Sequence, residues 1–172
     1  MAFTGFSLDL QERVALGVQA AIVSLCPLTE TTLLGYTIPA AQVYYQDRID
    51  PLNLQYPCVV VSLDGNEVEE DGDGLTFETD ASKYPVNVRI IDRLDQYDPV
   101  RDKALKRWRK LIADYLRTLE TLPGCPEVWN VWAVRKAIYA EALSGGTDYQ
   151  YLTSDLLATA QATYSRLHPG EF

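Results

Sequence analysis

The chain has 172 residues, 47% apolar and 23% charged, which is the size of one domain with enough apolar surface for a core and too few charges for a disordered chain. Twenty-four acidic against fifteen basic residues give a formal net charge of −9, a field that argues against general binding to a nucleic-acid backbone and leaves only local or weak contact. Three distant cysteines, Cys26, Cys58 and Cys125, with no CxxC pair and one histidine, His168, exclude the common zinc patterns, disfavour a disulfide framework, and imply a reducing compartment.

The N-terminal stretch MAFTGFSLDLQERVAL has neither a basic n-region nor a long apolar core, and no window reaches the ~18 apolar residues of a membrane span. A soluble protein without an export signal is expected. Over residues 7–25, Val14, Val18, Ala21, Ile22 and Leu25 recur at helical spacing, with Ser7 or Asp9 as candidate N-cap and Pro27 as the stop. Residues 28–55, rich in Thr, Pro and Gly, read as a long ordered loop with a short strand-like piece at QVYYQDRI.

YPCVVVSL (56–63) is a nearly continuous β-branched run and predicts a central strand, in which Cys58 acts as a small hydrophobe. YPVNVRIIDR (84–93) alternates Val86, Val88 and Ile90 with Asn87, Arg89 and Ile91 and predicts a second. Between them EVEEDGDGLTFETD (67–80) carries seven carboxylates and no basic residue. It reads as including the tip of an extended antiparallel hairpin, with DGDG supplying residues tolerant of positive φ.

A helix follows with Asp98 as N-cap and Pro99 at its first position. Its apolar face is Ala104, Leu105, Trp108, Leu111, Ile112, Tyr115, Leu116 and Leu119. At about 100° per residue, Lys103, Lys106, Lys110 and Arg117 fall within roughly 60° of one another on the opposite face, a basic ridge. LPGCP breaks the helix, residues 127–141 read as a strand, SGGTD turns the chain, and Leu156, Ala158, Ala160, Ala162 and Tyr164 alternate along a last strand. Trp129 and Trp132 have opposite parity in their strand, so one of them is expected to point outward. The order predicts a single α+β domain over 1–172, with a mostly antiparallel sheet carrying helices on one face and a frayed C-terminus at about 167–172.

Motifs for chemistry are sparse. A calcium loop starting at Asp71 has Asp73 at its third position but Leu75, Thr76 and Ser82 where the fifth, sixth and twelfth ligands or glycine belong. His168 lies close to the chain end, and there is no GxSxG, HExxH, GxxxxGK[ST] or GxGxxG. Asp92, Asp95 and Asp98 suit a polar loop with one helix cap better than a metal cluster. No catalytic residue, metal or cofactor is therefore assigned.

YPCVVVSLDGNEVEE, KYPVNVRIIDR and DPVRDKALKRWRKLIADYLR, with their order along about 7–166, resemble the tail-terminator (tail-completion) proteins of long-tailed bacteriophages. The likeness is one of architecture, not of a diagnostic motif. It implies a homo-oligomeric ring, typically of six subunits, at the head-proximal end of the tail tube, made in the host cytoplasm and carried in the virion. Its partners would be the tail-tube protein and the head connector or head-closure protein, with DNA only passing through the lumen, and no catalytic residue is expected. A closed ring uses heterologous contacts, so Glu67, Glu69, Glu70, Asp71 and Asp73 of one copy could meet Lys103, Lys106, Lys110 and Arg117 of the next. The carboxylates could equally line the lumen, or both surfaces could simply be solvated. The competing readings are another neck protein on the other side of the joint, and an acidic metal-binding module or metal-dependent hydrolase built on Asp71 and Asp73.

Overall fold

A computed structural model describes residues 10–29, 36–46, 50, 53–63, 69–76, 79–94, 98–141 and 150–165. Helix α1, Leu10–Leu25, buries Val14, Ala15, Gly17, Val18, Ala21 and Ile22, the face that the helical spacing predicts. The cap candidates Ser7 and Asp9 lie outside the described residues. Just past the helix, Pro27 follows Cys26 across a cis peptide bond.

The region read as a long loop contains more structure than its composition suggests. Strands β1 (Leu28–Thr29) and β2 (Thr37–Ile38) pair antiparallel, a 3-10 turn covers Ala40–Gln42, and β3 (Val43–Tyr45) runs parallel to β4 (Cys58–Leu63). Leu28, Ile38 and Val43 enter the core, and the Gln19 amide of α1 donates to the Val43 carbonyl at 3.0 Å. Tertiary burial of isolated apolar residues, which no local period reveals, is what orders this segment.

The long strands are β5 (Glu69–Thr76), β6 (Thr79–Leu94), β7 (Val128–Glu141) and β8 (Gln150–Ser165). Strand order is β3-β4-β6-β8-β7, with β5 also paired to β6 and every pairing except β3–β4 antiparallel. Helix α2, Pro99–Leu116, starts on the predicted cap, the Asp98 carboxylate accepting from the Val100 N–H at 2.8 Å. Residues of both helices share one apolar core with Val59 and Val61 of β4, Val86, Val88 and Ile90 of β6, and Ala158, Ala160 and Ala162 of β8. The fold is therefore α+β, a mostly antiparallel sheet with its helices on one face. Trp108, 1% exposed, is the largest side chain in this core; full burial of such a group is worth about 1.5–3 kcal/mol or more. Leu111 departs from the expected face: it is 45% exposed, at the border of the buried arc.

Across the sheet a smaller cluster, Leu54, Cys58, Val60, Ile91 and Tyr151, packs with Tyr44 and Tyr56. Cys58 is fully buried here, and burial pushes its thiol up to about 12. After α2 the chain turns through Gly124, at φ 75°, where a side chain would be strained. This turn seats α1. A Cβ on Gly17 would stand 3.0 Å from both Leu122 Cβ and the Pro123 carbonyl oxygen, so only glycine lets the helix approach so closely. Beside it Arg13 holds the Glu127 carboxylate at 2.8 and 3.0 Å and the Gly124 carbonyl at 3.2 Å.

Two sequence expectations about strands hold in outcome but for a different local reason. The tip falls within the acidic stretch as expected, past the paired Thr76 and Thr79, but the glycines of DGDG, Gly72 and Gly74, lie inside β5. Between the pairs Asp71–Ala81 and Thr76–Thr79, the first strand holds Gly72 to Leu75 where the second holds only Asp80, and glycine serves this bulge instead of a turn. One of the two tryptophans does point outward, as expected, but strand parity alone is not the reason. A register shift between Val128 and Asn130 makes Trp129 the extra residue, so Val128, Val131 and Ala133 all enter the helix-side core. Trp132, flanked by core residues, takes the other face opposite Thr159, and Trp129 is 45% exposed.

Candidate assembly surfaces

The backbone of β5, within the acidic stretch, forms an arm with β6. β4 pairs with β6 from Cys58–Ile91 to Leu63–Val86, and β5 continues along the same flank of β6 from Glu69–Lys83 to Thr76–Thr79. The two strands thus run in line past the end of the β4 ladder, with β8 on the other flank up to Ser165. Glu69, Glu70, Asp71 and Asp73 have their backbone in β5, and the register sets Glu69 across from Lys83 of the same chain. Glu67 lies outside the described residues.

On α2 the predicted ridge is at the surface. Lys103, Lys106, Lys110 and Arg117 are all exposed, and residues 98–117 hold seven basic against three acidic side chains. Two of the lysines have acidic partners one turn away: Lys106 donates to Asp102 at 2.6 Å and Lys110 to Asp114 at 2.9 Å. Such exposed pairs contribute about 0–1 kcal/mol and exchange partners readily. Arg117 is committed differently. Its Nε and Nη2 donate to the Ala133 carbonyl oxygen of β7 at 3.0 and 2.6 Å, and its other amine lies 3.6 Å from Asp114. The structure thus separates Arg117 from the three lysines with which helical spacing grouped it.

A polar node that the sequence did not reveal sits where β6 meets α2. Asp92, only 2% exposed, accepts a hydrogen bond from the Tyr36 hydroxyl, and Arg101 approaches the same carboxylate at 3.7 Å. The guanidinium lies over the Tyr36 ring, 5.1 Å from its centroid, and that ring stacks on Trp108 at 4.9 Å. Burial raises the Asp92 carboxyl above its ordinary range, opposed by the Tyr36 hydrogen bond and the Arg101 charge. Burial and the neighbouring carboxylate raise the Tyr36 hydroxyl as well. Asp92 therefore belongs to a packed node, not to the polar loop its spacing suggested; Asp98 is the helix cap, and Asp95 lies outside the described residues. The node ties residues 36–38 to the sheet and to α2 but opens no reactive group to solvent.

On the face away from the helices, Arg89 Nε and Nη2 grip the two Asp155 oxygens at 2.7 and 2.9 Å across the β6–β8 ladder. Among the described residues no three His, Cys, Asp or Glu side chains come together as a metal-ligand set, and no helix is long and apolar enough to cross a membrane. The chain matches no protein-family model, and no curated protein is significantly similar to it.

Proposed function

We propose that this chain is a structural virion protein: a subunit of a ring, of about six copies as in the family it resembles, that caps the head-proximal end of a phage tail tube and offers a surface to the head connector. The observation that carries this reading is the arm, in which β4 and β5 follow one flank of β6 and carry the acidic stretch past the β4 ladder. Its companion is an exposed basic helix on the same subunit. A ring needs two different patches that meet head to tail, and these two differ in sign and in element. Function in this reading comes from shape and contact: a cap matches the tube on one side and refuses another tube layer on the other. The chain would reside in the virion neck after assembly in the host cytoplasm, with the passing DNA repelled by the net negative charge.

The test is to add the purified protein to polymerising tail-tube subunits of the same phage. Growth should stop at lengths that shorten as more protein is added, with the protein at one tube end. Tubes that elongate unchanged, with no protein at their ends, contradict the proposal.

A further inference from the structure

β7 closes the sheet: among the described residues its one strand neighbour is β8. An edge of 14 residues that no described strand pairs offers a row of backbone donors and acceptors to another extended chain. Its sequence makes that edge a hazard. VWNVWAV (128–134) is uncharged, free of Pro and Gly, and rich in β-branched and aromatic residues, the composition of segments that pair with copies of themselves. Val134 is 52% exposed and Trp129 is 45% exposed.

The edge is interrupted in three places. Register shifts fall between Val128 and Asn130 and between Arg135 and Ile138, leaving residues 130–135 as the regular stretch. Into the middle of that stretch Arg117 reaches from the end of α2 and places two N–H groups on the Ala133 carbonyl. In an antiparallel strand the N–H and C=O of one residue face the same side, and a carbonyl turned toward β8 is spent on that ladder. We infer that the Ala133 carbonyl faces the open side of β7 and that Arg117 is an edge guard, occupying the acceptor that the β7 strand of a second copy would need. The fork suits this task, because a planar guanidinium supplies two donors to one oxygen and stays charged at every working pH. Without the guard, two β7 edges pair antiparallel around a two-fold axis, a contact that closes on itself and is distinct from the head-to-tail contacts of a ring. The inference is independent of the tail-cap reading.

The experiment uses Arg117→Met, which keeps the helix-forming stem and removes the donors. Light scattering after size exclusion across a concentration series should show a self-association constant raised by roughly tenfold or more over the wild type, the value of a lost charge-assisted hydrogen bond. The new species should carry the infrared signature of intermolecular strands. Val134→Lys added to Arg117→Met sets like charges near each other across the paired edges and should return the profile to that of the wild type. Arg117→Lys, which retains a single donor, should fall between, and it supplies the comparison if Arg117→Met does not fold. An unchanged profile in a folded Arg117 variant, or association that Val134→Lys leaves intact, overturns the inference.

Discussion

Asp92 shows how one buried side chain sets a pH response. Burial holds its carboxyl above the ordinary range, while Tyr36 and Arg101 pull it down and Asp98 pushes it further up. In the unfolded chain the group titrates at about 3.9. Between that value and the raised folded value the native state binds a proton that the unfolded chain does not, so this contribution to stability grows as pH falls through the window and fades as pH rises above it. Urea denaturation of wild type and Asp92→Asn between about pH 7 and about pH 4.5 should therefore show the difference moving in favour of the wild type on acidification. A constant difference, or one moving the other way, would mean that Tyr36 and Arg101 outweigh desolvation. Trp108 is the second residue on which much rests, fully buried and stacked on Tyr36. Trp108→Ala should cost about 3–5 kcal/mol in chemical denaturation. A loss below about 1 kcal/mol would contradict the burial of this ring between α2 and the sheet.

At the scale of elements, periodic segments were legible and tertiary ones were not. Val14, Val18, Ala21 and Ile22 mark α1, Asp98 and Pro99 open α2, and alternation along 84–93 and 156–162 places the right residues in the core, because each of these signals lies within a few turns or pleats. The strands β1 and β2 were missed because two residues carry no period, whereas β3 lies in the strand-like piece QVYYQDRI. Tyr36, Asp92, Arg101 and Trp108 are drawn together from distant parts of the chain, and no local spacing announces their contact. Glycines misled in β5, since the same residue that suits a tight turn also suits a bulge. The basic ridge was legible as exposure but not as pairing, and Arg117 left it for β7. The proposed contact between elements of neighbouring subunits makes its own prediction. Lys103, Lys106 and Lys110 changed together to Glu should weaken ring closure in native mass spectrometry, and adding Glu67, Glu69 and Glu70 changed to Lys should restore it. Rescue is expected only if the two elements meet across a subunit boundary; a lumen lining or a solvated arm yields none.

At the scale of the whole molecule, the buried and half-buried charged groups serve to hold the fold together. Asp92 is engaged by Tyr36 and Arg101, Arg89 by Asp155, Arg13 by Glu127 and Arg117 by the edge of β7. What remains is backbone and sign: a strand, β5, that carries Glu69, Glu70, Asp71 and Asp73 past the β4 ladder, an exposed basic helix, and a net charge of −9 that opposes indiscriminate association. Such a molecule suits a particle in which many copies must meet in one order, and its loss should leave the other parts intact while their joining and length control fail. The most direct measurement is the distribution of tail lengths, by electron microscopy, in lysates of a phage that lacks this protein. Overlong or unjoined tails beside filled heads are the expected result, and heads bearing attached tails of normal length would contradict the central claim.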